Sequence, residues 1–133
     1  MKIRDVMSKD VTSISPTSNI LDVAILMKEH NIGVIPVCDV TKVVGIITDR
    51  DIVTRNIANG IGVDKEVKDI MTSNVKVATP DMDIYEATSI MENLQIRRLP
   101  VVDNNRLVGM VSIGDISSLS KPQKRTKTKD SLG

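Results

Sequence analysis

Gly45-Ile46-Ile47-Thr48-Asp49-Arg50-Asp51-Ile52 and, 64 positions later, Gly109-Met110-Val111-Ser112-Ile113-Gly114-Asp115-Ile116 are two versions of one phrase. In each, a glycine and an apolar pair lead to a hydroxyl residue, and an aspartate follows three places on. The same offset pairs Asp5 with Asp69, Met7 with Met71, Pro16 with Pro80, Met27 with Met91, and Pro36-Val37 with Pro100-Val101. A register held from Asp5 to Ile52 with no gap, prolines and glycines included, implies two copies of one supersecondary unit. Such copies pack on each other about a pseudo-twofold axis and leave two related clefts between them.

Each unit reads strand, helix, strand, strand, helix, an α/β (α+β) pattern. Val11 to Ile14 and Val75 to Ala78 are short apolar runs closed by Ser15-Pro16 and Thr79-Pro80. Ile20, Val23, Ala24 and Met27, and again Ile84, Ala87, Thr88 and Met91, fall at i, i+3, i+4 and i+7, the spacing of one helix face. Asn19 and Asp83 stand at N-cap positions, and Asp83 with Glu86 has the spacing of a capping box. Val34 to Cys38 and Val43 to Ile47 flank a polar turn and predict a hairpin, as do Leu99 to Val102 and Leu107 to Val111. Pro36 and Pro100 lie inside the first strand of each hairpin, which predicts an edge or a bulge because proline has no N–H to give the ladder. A second helix is expected from Thr48 to about Ala58 and from Ser112 to Leu119, with residues 59–64 as the hinge. The units are 1–62 and 63–120, followed by a basic tail, 121–133, expected to be disordered.

With 133 residues, 41% of them hydrophobic, the chain can bury one ordinary core, and a half of roughly 60 residues would be marginal alone. One intertwined domain is expected, with an aliphatic core, since the chain has no Phe or Trp and a single Tyr, Tyr85. Met1 to Met7 carry Lys2, Arg4 and Asp5 and give no signal-peptide apolar region, and no run approaches the ~18 apolar residues of a membrane helix. The expectation is a soluble, cytoplasmic protein. The lone Cys38 reads as a small buried hydrophobe. Residues 121–133 hold five Lys and Arg against one Asp, a net of +4, so the overall +1 leaves −3 for residues 1–120.

Thr48 with Asp51, and Ser112 with Asp115, admit two readings. One is a capping box, in which hydroxyl and carboxylate satisfy the first backbone N–H groups of a helix. The other is a nucleotide site, in which the helix start and the hydroxyl favour phosphate while the carboxylate accepts from paired ribose hydroxyls. The phrase resembles the ending of a CBS (cystathionine-β-synthase) domain. So do Ile32-Gly33-x-x-Pro36-Val37 and the run Arg97-Arg98-Leu99-Pro100-Val101-Val102-Asp103. Over about residues 3–119 the chain is similar to a tandem CBS pair, or Bateman module, of the stand-alone bacterial and archaeal kind.

That resemblance implies regulatory binding of AMP, ADP, ATP or S-adenosylmethionine between the units, with no required cofactor. It assigns ribose contacts to Asp51 and Asp115, phosphate proximity to Thr48 and Ser112, and the flanks of the adenine to Ile35-Pro36 and Leu99-Pro100. Arg98, two before Pro100, implies a phosphate contact for which the first copy has only Val34. Arg50 is a further candidate cation whose counterpart is Gly114, so two unequal sites are expected. Arg97 adjoins Arg98 on a strand and faces the other way, as a surface or dimer-contact residue. His30 is expected to pack or to complement a helix C-terminus rather than to ligate.

The resemblance also implies a homodimer, acting on a separate, unidentified target. A single His and a single Cys exclude a Cys/His zinc cluster within one chain and offer no nucleophile and base pair, so no enzyme and no metal site are expected. The tail from Lys121 to Lys129 keeps open an association with nucleic acid, although Tyr85 alone is a poor stacking platform. A purely structural dimerisation module is the other alternative.

Overall fold

The computed structural model describes residues 1–120. The basic tail and the expectation attached to it lie outside the described residues. Helix α1 spans Ile20–His30, strands β1 and β2 span Val34–Asp39 and Lys42–Thr48, and α2 begins at Asp49–Asp51 and widens to a π-helix over Ile52–Ile57. The second copy repeats the order with α3 (Ile84–Leu94), β3 (Arg98–Asp103), β4 (Arg106–Ser112) and α4 (Ile113–Ser117). Among the described residues no helix is long and apolar enough to cross a membrane.

The two hairpins are copies down to their irregularities. Val34 pairs with Thr48 and Arg98 with Ser112, and the register shifts between Val37 and Cys38 and again between Val101 and Val102. The prolines cost the ladder nothing. The carbonyl of Pro36 accepts from Ile14 N–H at 3.1 Å and Cys38 N–H donates to Ile14 O at 2.8 Å, so this edge of β1 faces away from β2. At Pro36 the missing N–H would have pointed to that same outer edge. Val11 to Ile14 and Val75 to Ala78, expected as strands, make only the single parallel bridges Ile14 to Val37 and Ala78 to Val101. Ser15-Pro16 and Thr79-Pro80 end each contact after one pair.

Helix caps follow the sequence in part. Asn19 Oδ1 accepts from Asp22 N–H at 2.8 Å, whereas Asp83 Oδ1 accepts from Tyr85 N–H at 2.8 Å. The expected return bond from Glu86 is not formed: Glu86 contributes its backbone N–H to Asp83 O instead. The hairpin turns also differ. Asn104 and Asn105 take positive φ (53° and 65°), which asparagine tolerates, but in the first hairpin Val40 takes φ 57° while 91% exposed.

Each copy lends its leading segment to the other. Ile3 is wholly buried with Ala78, Ala87, Met91, Leu99 and Val111 of the second copy. Its mate Val67 is wholly buried with Ile20, Val23, Ile35 and Ile47 of the first copy. Backbone bonds fix both crossings, Ile3 N–H to Met82 O at 2.9 Å and Val67 N–H to Ser18 O at 2.8 Å. The methionines behind them explain the repeated glycines. A Cβ on Gly109 would stand 2.8 Å from Met7 Sδ, and one on Gly45 would overlap Met71 Sδ. Packing units and sequence repeats therefore differ: each hydrophobic cluster contains residues from both copies.

Cys38 is 5% exposed, and burial pushes its thiol pKa up against a weaker opposing hydrogen bond with Ser13. Around the hinge, Asn56 is wholly buried and its Nδ2 donates to Gly62 O at 3.2 Å.

Ile3→Ala is expected to lower the unfolding free energy by about 2–5 kcal/mol, the range for a buried isoleucine. A urea titration showing a loss below about 1 kcal/mol would mean that the leading segment is not part of the core. Val40→Asn is expected to raise stability by about 1 kcal/mol by relieving a left-handed β-branched residue; an unchanged or lowered urea midpoint would contradict the turn geometry.

Candidate functional site

Both turn phrases sit where a hairpin ends and a helix begins. Thr48 Oγ1 accepts from Asp51 N–H at 3.0 Å, and Asp51 Oδ2 accepts from Thr48 N–H at 3.0 Å. Ser112 and Asp115 repeat the pair at 3.0 and 3.1 Å. Neighbouring bonds clamp each turn to the segment before the first strand, Asp49 N–H to Gly33 O and Ile113 N–H to Arg97 O, both 2.9 Å. The capping-box reading is thus what the backbone shows.

It does not exhaust the carboxylates. An ionised carboxylate has about four lone-pair directions, and a cap bond uses one. Asp51 Oδ1 lies 3.7 Å from Arg55 Nε, and Arg55 also donates from Nη1 to Ile70 O at 3.2 Å. Leu119 occupies the position of Arg55 in the second copy. Asp115 Oδ1 has no protein partner among the described residues.

A cleft of about 290 Å³ opens between the copies. One wall is Ser8, Asp10, Val11 and Thr12, which lead into the first copy, together with His30, Ile32, Val34 and Pro36. The facing wall is Arg98 and Met110 from β3 and β4. Ser8 and Met110 hold the walls together through reciprocal backbone bonds of 2.8 and 2.9 Å. The Ser112–Asp115 turn continues this wall along the hairpin: Ser112 is the cross-strand partner of Arg98 and follows Met110 by two residues.

The structure distributes the expected site residues unevenly. Pro36 and Arg98 line the cleft. Thr48, Asp51, Ser112 and Asp115 are partly buried at the two turns and are not among the residues that line the cleft, and Arg50 is exposed on the first turn, where its N–H bonds Asp49 Oδ1 at 2.8 Å. Pro100 is buried at the position matching Pro36. The expectation for Ile35 and Leu99 needs correction. Both side chains are wholly buried in the two hydrophobic clusters, because alternation along a strand sends them inward and leaves Val34 and Arg98, one residue earlier, toward the cleft.

Sequence reasoning missed Ser8, Asp10, Thr12, Met110 and Arg55. His30, expected only to pack or to complement a dipole, is an exposed last residue of α1 that lines the cleft. No local pattern marks these residues, since residues 8–12 reach the cleft through a backbone bridge to a strand about 100 residues away. The Met7–Gly109 and Met71–Gly45 pairs, repeated in register, were the one available signal of that crossing. Among the described residues no cluster of three or more His, Cys, Asp or Glu could hold a metal ion.

The family described as CBS domain matches residues 3–57 and 67–121. The chain belongs to the CBS domain family. This CBS pair is 40% identical over 115 residues to the CBS domain-containing protein YhcV of Bacillus subtilis, covering 86% of the chain and 82% of that protein. Hypoxic Response Protein I, solved with two coordinated zinc ions, superposes with a TM-score of 0.83 at 32% identity, covering 90% of this chain and 98% of that one. The CBS pair of protein MJ0100, solved with 5′-methylthioadenosine and S-adenosyl-L-methionine, gives a TM-score of 0.80 at 33% identity, covering 90% and 94%.

Removing either cap hydroxyl, by Thr48→Ala or Ser112→Ala, is expected to cost about 1 kcal/mol of stability. Denaturant midpoints unchanged in both variants would show that the boxes do not hold the turns.

Proposed function

We propose that the protein is a regulatory module that binds an adenosine-containing ligand, AMP, ADP, ATP or S-adenosylmethionine, between its repeats and performs no catalysis itself. The observation that carries this reading is the cleft, whose walls come from both copies and whose β4 side ends in the Ser112–Asp115 turn. Asp115 Oδ1 is open to accept from a ribose diol while Oδ2 keeps its cap bond. Ser112 Oγ accepts from Asp115 N–H, which leaves its own proton to donate to a ligand oxygen. Asp51 and Thr48 offer the same groups at the pseudo-equivalent position, with Arg55 already beside Asp51. The pair of protein MJ0100, which holds 5′-methylthioadenosine and S-adenosylmethionine, supports an adenosyl ligand here.

Regulation needs two arrangements that bind the ligand differently. Residues 8–12 supply the means. They connect Ile3, in the second cluster, to Ile14, on the edge of β1, so a ligand against them contacts the crossing between copies. A second copy of the chain is the partner the surface supports, through outward Leu21 and Ile25 on α1 and Val53 and Ile57 on the π-helix, each 43–60% exposed. The regulated target is a separate protein.

A ligand that binds only the folded chain adds about 2.7 kcal/mol of stability at a hundredfold excess over Kd, so adenosine compounds are expected to raise Tm in a fluorimetric screen. Asp51→Ala and Asp115→Ala are each expected to weaken calorimetric affinity by about 1.5–3 kcal/mol. Titrations unchanged in the folded double variant would overturn the ribose assignment.

A further inference from the structure

The charges lining the cleft are unlike those its pseudo-symmetric mate would have. Among the residues that line it, Asp10 and Arg98 carry opposite formal charges and His30 adds an imidazole from the end of α1. Shifted by 64 positions, Asp10 becomes Asn74, Thr12 becomes Lys76, His30 becomes Leu94 and Arg98 becomes Val34, so a lining of one carboxylate and one guanidinium is replaced by a single ammonium. The crossings are equivalent, since Thr72 pairs with Ile46 as Ser8 pairs with Met110. The second crossing therefore brings a lysine and no carboxylate at these positions. The turns add no difference in formal charge, since Arg50 on the Thr48–Asp51 turn is offset by Asp49, and Ile113 and Gly114 stand at the matching positions.

A phosphate entering the first cleft meets Arg98 but also the negative charge of Asp10, an exposed carboxylate whose repulsion acts at low ionic strength and is screened by salt. A sulfonium or an uncharged 5′ group meets no such opposition.

We infer that the cleft lined by Asp10, His30 and Arg98 prefers an adenosine ligand with a neutral or cationic 5′ substituent over a 5′-phosphate, while the pseudo-equivalent side, which has Lys76 and no carboxylate at the position of Asp10, favours phosphate. The inference rests on the proposed ribose contact of Asp115.

The test is calorimetry on the full chain at low ionic strength, in an Asp51→Ala background that isolates the Asp115 side, with adenosine, S-adenosylmethionine, AMP and ATP as probes. S-adenosylmethionine is expected to bind at least tenfold more tightly than AMP or ATP. Adding Asp10→Asn is expected to shrink that preference at least fivefold, and raising salt to shrink it as well. Asp10 is exposed, so the substitution leaves the core untouched. Adenosine binding that depends on Asp115, with AMP at least as tight as S-adenosylmethionine or a ratio unmoved by Asp10→Asn, would overturn this inference and leave the functional reading standing. Absence of any Asp115-dependent binding by all four probes would overturn the functional reading itself.

Discussion

The exchange of leading segments is the constraint on which the rest of the molecule depends. Ile3 completes the second cluster and Val67 the first, so neither copy has a whole core of its own. Met7 and Met71 then cross the hairpins where only Gly109 and Gly45 leave room. Because residue 3 is anchored in one copy and residue 14 in the other, the chain between them must run along the seam. That run forms one wall of the cleft. A small domain gains by this arrangement, since a half-chain of about 60 residues buries too little surface to be comfortable.

Structural and functional readings of the turn phrase are compatible. The cap bonds hold each aspartate at the hairpin's end with one oxygen committed, and the second copy leaves the other oxygen free of protein partners among the described residues. A group positioned in this way loses little freedom on meeting a ligand, which is how preorganisation adds to affinity. The first copy spends the same oxygen differently, on Arg55, which also bonds the carbonyl of Ile70 and so ties α2 to the exchanged segment. The Arg55–Leu119 difference behind the turns thus adds to the differences along the seam, Asp10 against Asn74 and Thr12 against Lys76.

Most of the fold was legible because the duplication repeats its own punctuation. Helices α1 and α3, both hairpins and both turn phrases follow from apolar periodicity, paired prolines and the hydroxyl-to-aspartate spacing. The strands expected at Val11–Ile14 and Val75–Ala78 shrank to single bridges because tertiary placement, which no propensity encodes, gives each run one neighbour for one residue. The site was less legible for a related reason. Thr48, Asp51, Ser112 and Asp115 are local in sequence and could be read, while Asp10, His30 and Met110 come together only through the crossing. Ile35 and Leu99 show the opposite failure: they adjoin the cleft in sequence, but strand alternation turns them into the core.

The central claim is that an adenosine ligand occupies the seam between the copies. A crystal structure of the chain grown with saturating S-adenosylmethionine tests it most directly. The account predicts electron density between residues 8–12 and Arg98, with the ribose hydroxyls within hydrogen-bonding distance of the Asp115 carboxylate. An empty cleft at saturating ligand, or a ligand that touches neither aspartate turn, would contradict it.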